Sequence, residues 1–127
     1  MEECTFCELL TKRPDSLQII EKGEYVTAIF KLYKTRNVNI LIVSNDHIVN
    51  HKDATLEQSS NVINETIQMA KRLFPHTDWS MKNNNGPKSD QTVFHMHTHI
   101  YSSEQWPKDK TWDFGRKHNG QRSRGRY

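Results

Sequence analysis

Val93-Phe94-His95-Met96-His97-Thr98-His99-Ile100-Tyr101 sets three histidines at alternate positions with mostly apolar residues between them. In a β-strand, successive side chains leave on opposite faces. The stretch is therefore predicted to pack Phe94, Met96, Thr98 and Ile100 on one face and to line the other with imidazoles. A helix would scatter those rings, because residues two apart lie far round its circumference. Three titratable rings in a row are costly as core and unusual as surface, which marks this strand as the functional one. One metal ion shared by all three does not fit a strand: the outer two lie roughly 13 Å apart at about 3.3 Å per residue. Zinc–nitrogen bonds are only about 2.0–2.1 Å long. The rings are expected to divide the work.

Working outward, Gln91 and Thr92 lead into the strand from a loop dense in turn formers, Asn83-Asn84-Asn85-Gly86-Pro87-Lys88-Ser89-Asp90. Trp79 to Lys82 reads as a strand before that loop. Thr55-Leu56-Glu57-Gln58 is a capping-box signature. The helix behind it repeats Leu56, Ile63, Ile67, Ala70 and Phe74 at three- and four-residue steps, the stripe expected to face a sheet, and Pro75 ends it. Upstream, residues 17–21, 25–33 and 38–43 read as strands, the second rich in β-branched and aromatic residues and the third a continuous apolar run suited to the sheet centre. Cys4-Thr5-Phe6-Cys7 opens the chain ahead of a short helical turn. Strands joined by short loops, one long helix and no internal repeat predict an α+β domain on a mostly antiparallel sheet of about five strands.

The 127 residues suffice for one domain with a modest core. Hydrophobic residues make up 34%, and no apolar run is long enough for a membrane span. The start, Met1-Glu2-Glu3-Cys4, is acidic and polar, unlike a secretory signal, so a cytoplasmic location is expected. There, Cys4 and Cys7 read as thiols or metal ligands rather than a disulfide. The formal net charge of +3 is uneven: residues 116–127 hold Arg116, Lys117, Arg122, Arg124 and Arg126 and no acid. Such a tail suits an anionic partner, nucleic acid included, and equally suits a solvated terminus.

Taken together, the histidine strand, the Asn-Asn-Gly loop before it, the opening Cys-x-x-Cys and the order of strands and helix resemble the histidine triad (HIT) family. The resemblance covers roughly residues 2–101, and it implies a domain over 1–101 followed by an extension over 102–127. It implies cleavage at the α-phosphate of a nucleotide conjugate, such as a dinucleoside polyphosphate or a nucleoside phosphoramidate, through a nucleotidyl-histidine intermediate. On that reading His97 is the nucleophile, its other ring nitrogen donating to a main-chain carbonyl, while His99 binds phosphate oxygens and Thr92 hydrogen-bonds the phosphate or leaving group. Asn84 and Gln91 fall where relatives contact the nucleotide, Gln91 more through its main chain. A structural zinc is implied at Cys4, Cys7, His47 and His95, against the alternative of metal-free thiols. A homodimer that binds purine nucleotides is implied too. His51, His76 and His118 match nothing in the pattern and read as solvated.

The chain also departs from the family. Lys31 stands where relatives carry an acid or amide that grips the ribose hydroxyls, and a lysine cannot accept from a hydroxyl. Asn39 stands where relatives carry a further site histidine. The chemistry strand is kept while the nucleoside side has drifted, so Lys31 and Asn39 are candidate nucleotide-binding residues of altered preference. Two other readings compete with the nucleotidyl hydrolase or transferase. One is a non-catalytic nucleotide- or nucleic-acid-binding module on the same scaffold. The other is a zinc hydrolase with metal at the triad.

Overall fold

The computed structural model describes residues 4–16, 18–31 and 37–105. Its elements are α1 (Thr5–Lys12), β1 (Ile19–Lys22), β2 (Val26–Phe30), β3 (Asn37–Ser44), α2 (Leu56–Leu73), β4 (Trp79–Lys82) and β5 (His97–Gln105). The strands form one sheet in the order β1-β2-β3-β5-β4, every neighbouring pair antiparallel. This is the α+β architecture expected. Leu32 and Tyr33, expected in the second strand, and the extension past Gln105 lie outside the described residues.

Each face of the sheet buries its own core. Ile40 and Ile42 of β3 and Ile100 of β5 pack with Val26, Ala28 and Phe30 of β2 beneath α2. On the other face Leu41 and Val43 meet Phe6 and Leu9 of α1 and Ile29 of β2. The register pairs Leu41 with His99 and Val43 with His97, so both histidines rise from the α1 face beside this smaller core.

The roll of α2 differs from the sequence expectation. Its buried side chains are Val62, Thr66, Met69 and Ala70, whereas Leu56 is 89% exposed, Ile63 42% and Ile67 39%. At 3.6 residues per turn this is a rotation of roughly a quarter turn from the predicted stripe. Only Ala70 and Phe74 of that stripe are buried. The capping box is present: Thr55 Oγ1 accepts from Gln58 N and Gln58 Oε1 from Thr55 N.

Glu65 accounts for the roll. Its carboxylate accepts from the main-chain N–H groups of Glu24 (3.1 Å), Tyr25 (2.6 Å) and Val26 (2.8 Å) at the β1–β2 turn. Gly23 permits that approach, since a Cβ there would lie 2.8 Å from the Val26 carbonyl and closer still to Glu65. Replacing Glu65 by Ala strands three donors and should lower unfolding stability by about 2 kcal/mol. Urea denaturation checks this: the midpoint should fall with the slope unchanged, and Glu65→Gln should fall less.

Candidate functional site

The histidine strand begins later than expected. Residues 93–95 form a bend, and β5 starts at His97. The alternation holds from Met96 onward, with Met96, Thr98 and Ile100 buried on the α2 side. Phe94 does not join them: it is 48% exposed, because the bend turns it out of the sheet. Main-chain bonds from Met96 N to Ile48 O (2.6 Å) and from Ser44 N to Met96 O (3.1 Å) stitch the bend to the end of β3.

Gln91 is the hub of the loop that feeds the bend. Its Oε1 accepts from Asn50 Nδ2 (2.9 Å) and Gly86 N (2.8 Å), and its Nε2 donates to Val49 O (2.7 Å) and Val93 O (3.1 Å). An amide side chain has two lone pairs and two donors to give, and all are used within the protein. The side chain of Gln91 is therefore fully engaged within the protein. Asn83, which the sequence reading passed over, donates to His97 O (3.0 Å) and Thr98 Oγ1 (2.9 Å) and so ties the loop to β5. Its neighbour Asn84 is half-buried and donates to Asp90 O at 3.4 Å. Thr92 is exposed just before the bend.

The tautomers of the three histidines follow from their partners. His97 Nδ1 lies 2.7 Å from His95 O. A carbonyl can only accept, so Nδ1 carries the hydrogen and Nε2 keeps its lone pair. His99 Nδ1 lies 3.2 Å from Lys31 Nζ. An ammonium can only donate, so Nδ1 accepts and the hydrogen sits on Nε2. His95 Nε2 lies 2.7 Å from Ser44 O and must donate there, which leaves the Nδ1 lone pair free to ligate. One ring thus offers a lone pair, its neighbour a donor, and the third faces elsewhere.

Phe6 wedges between the two groups. Its ring centroid is 5.6 Å from that of His95 and 5.4 Å from that of His97. Beyond it, His97 and His99 are 5.3 Å apart, and Tyr101 stacks on His99 at 5.9 Å with 13° between the planes. Neither aromatic partner was singled out in the sequence. Phe6 lay between the two cysteines and Tyr101 at the strand's far end, each with an ordinary packing role available. Asn39, buried and opposite Tyr101 in the register, and Lys31, whose Nζ sits 5.1 Å above the Tyr101 ring, complete this end.

Burial pushes all three imidazoles below their ordinary value, His95 and His99 to about 4. For His97 a nearby Lys31 adds to the push, and for His99 Lys31, His97 and Lys82 all do. His51 is not solvated as expected. Its ring is half-buried, Nδ1 lies 2.8 Å from Ser59 Oγ, and burial lowers its pKa. His76 is exposed, and His118 lies outside the described residues.

Cys4, Cys7, His47 and His95 bring one ligand atom each within 4.8 Å of one another. Cys4 Sγ and His47 Nδ1 each lie 3.2 Å from His95 Nδ1, and Cys7 Sγ lies 3.2 Å from His47 Nδ1 and 3.5 Å from His95 Nδ1. A tetrahedral ion with bonds of about 2.0–2.3 Å separates its ligand atoms by about 3.3–3.8 Å. Two thiols and two imidazoles in this spacing fit a closed four-ligand site. Burial and the neighbouring Cys4 push the Cys7 thiol up to about 11, a direction that a divalent cation among these atoms would reverse.

The family model for the HIT domain matches residues 13–105. The chain belongs to the HIT family. It is 28% identical over 102 residues to Protein hit of Bacillus subtilis, spanning 78% of this chain and 70% of that one. Among solved structures, a HIT family hydrolase from Clostridium thermocellum matches with a TM-score of 0.70 and 26% identity, covering 81% of this chain and 92% of that one. A zinc-bound histidine triad protein from Mycobacterium smegmatis matches with a TM-score of 0.68 at 23% identity, over 84% of this chain and 78% of that one. No helix among the described residues is long and apolar enough to cross a membrane.

The His99 ring makes the site sensitive to acid. Its folded pKa, about 4, lies below the ordinary 6.5, so between those values the unfolded chain binds the proton more readily. Stability contributed by neutral His99 is complete above pH 6.5 and is lost as pH falls toward 4. NMR titration of the ring should give a midpoint near 4. Lys31→Met should raise that midpoint, because the lysine charge is one of the forces depressing it.

Proposed function

We propose that this HIT family member is a nucleotidyl hydrolase or transferase. It cleaves at the α-phosphate of a nucleotide conjugate, a dinucleoside polyphosphate or nucleoside phosphoramidate, with His97 as the covalent nucleophile. The hydrogen bond from His97 Nδ1 to the His95 carbonyl carries this reading, because it aims a neutral ring with a free Nε2 lone pair out of the sheet face. Kinship with HIT family hydrolases of the same fold supports it.

In the first half-reaction the Nε2 lone pair forms a bond to phosphorus while the bond from phosphorus to the leaving group breaks. The leaving group departs with that electron pair and takes a proton from solvent. The ring becomes a phosphorylated imidazolium, whose positive charge the His95 carbonyl stabilises through Nδ1–H. His99 Nε2–H and the Thr92 hydroxyl donate to the phosphate oxygens as negative charge builds on them. Water then attacks phosphorus, the N–P bond breaks, the nucleoside monophosphate leaves and a proton passes to solvent. His97 returns neutral. Asn84, Asn39 and Lys31 contact the nucleotide around this centre.

Cys4, Cys7, His47 and His95 hold a structural zinc, as the donor set and the zinc-bound Mycobacterium relative support. Those four residues would supply a closed ligand set and so would tie the N-terminal helix to the sheet when zinc is bound. A cytoplasmic homodimer acting on purine nucleotides, as one domain with a C-terminal extension, completes the reading.

Incubation with adenosine phosphoramidate or diadenosine tetraphosphate should release AMP, and acid-quenched samples should contain an adenylylated chain by intact mass. His97→Ala should lose at least about a thousandfold in rate and all of the adduct, while still unfolding cooperatively. A wild type inactive on both substrates, or a fully active His97→Ala, would end the proposal.

The zinc assignment has its own check. Purified protein should contain about one zinc per chain by elemental analysis, and Cys7→Ser should lose it. With free zinc at a hundred times its dissociation constant, the ion should add about 2.7 kcal/mol of stability. Melting with and without a chelator measures that loss.

A further inference from the structure

Three cationic or protonatable side chains meet on the α1 face beyond His97: Lys31 at the end of β2, His99 on β5 and Lys82 on β4. Register fixes the row. Lys82 pairs directly with His99 across β4 and β5, and His99 pairs with Leu41, which pairs with Ile29, two residues before Lys31. Lys31 Nζ lies 3.2 Å from His99 Nδ1 and 5.1 Å above the Tyr101 ring.

Among the described residues, no carboxylate balances this charge. The charges acting on Lys31 and His99 are those of Lys82, Lys31 and His97. The ion pair among the described residues, Arg72 with Glu21, joins other elements. Half-burying an ammonium beside a second cation is unfavourable unless an anion offsets it.

The position of that anion follows from the His99 tautomer. Lys31 occupies Nδ1, so its charge lies across the ring from the Nε2–H assigned to the phosphate under attack. The two donors therefore address two different anionic groups, one on each side of the imidazole. We propose that Lys31, backed by Lys82, selects nucleotides that carry a second phosphate group beyond the phosphate attacked by His97. That phosphate sits on the ribose: in-line attack by His97 puts the rest of the phosphate chain opposite Nε2, whereas Lys31 lies to the side, at His99 Nδ1 along the sheet face. This inference rests on the nucleotide reading given above.

Calorimetric titration of the full chain with AMP, ADP, adenosine 2′,5′-bisphosphate and adenosine 3′,5′-bisphosphate tests it. One of the two adenosine bisphosphates should bind about tenfold tighter than AMP, as one charge-assisted hydrogen bond provides, and ADP should not. Which bisphosphate does so identifies the ribose position. The advantage should shrink with added salt. Lys31→Met should abolish it, and Lys31→Arg, which keeps charge and donors, should retain most of it. The His99 ring signals report that each variant is folded.

If AMP binds and neither bisphosphate improves affinity more than twofold, the inference is wrong while the nucleotide reading stands. An advantage that survives in a folded Lys31→Met protein also overturns it. If none of the four ligands binds, the nucleotide reading fails and takes this inference with it.

Discussion

The donation from His97 Nδ1 to the main-chain oxygen of His95 is a local bond between residues two apart, yet most of the fold is needed to make it. Within a regular strand, a ring at one position cannot turn back to the carbonyl two residues earlier, because that carbonyl points sideways into the sheet's hydrogen-bond ladder. The bend at 93–95 releases the His95 carbonyl from the ladder, and β5 becomes regular only from His97. The bend in turn is held on three sides: by Gln91 through Val93 O, by the His95 ring through Ser44 O, and by Met96 through Ile48 and Ser44. The orientation of the His97 ring is a property of a strand that starts at His97 rather than at Val93.

This explains which parts of the molecule were legible in the sequence. Alternation of His97, Thr98, His99 and Ile100 was read correctly because a strand buried on one face leaves no freedom of register. The same rule extended backward to Phe94 failed, since alternation cannot reveal where a strand gives way to a bend. Gln91 and Asn83 were ambiguous for a related reason. An amide in a turn-rich loop has the same composition whether it grips a ligand or a neighbouring carbonyl, and only its partners distinguish the two.

The roll of α2 was beyond periodicity altogether. Apolar residues occur at 62, 63, 67, 69, 70, 73 and 74, so two stripes about a quarter turn apart have comparable claims on the sheet. The stripe chosen in the sequence omitted Thr66, which the fold buries, and included Leu56, which it exposes. The choice is made by a charge: Glu65 can reach the N–H groups of the β1–β2 turn only when Val62, Thr66 and Met69 face inward. Three main-chain donors outweigh the modest difference in apolar area between the stripes.

His95 unites the two halves of the site without belonging to both. Its carbonyl serves His97, while its ring reaches Cys4, Cys7 and His47 on the far side of Phe6. A group bound among those four side chains would fix the ring whose main chain orients His97. The Ser44 carbonyl already sets that ring's tautomer, so a metal adds rigidity rather than chemistry. The sequential order of the three histidines then becomes intelligible. The main-chain oxygen of the first holds the ring of the second, and the third, with Lys31 on one nitrogen, keeps a donor on the other; under the proposed mechanism the second would attack and the third would donate to the same phosphate.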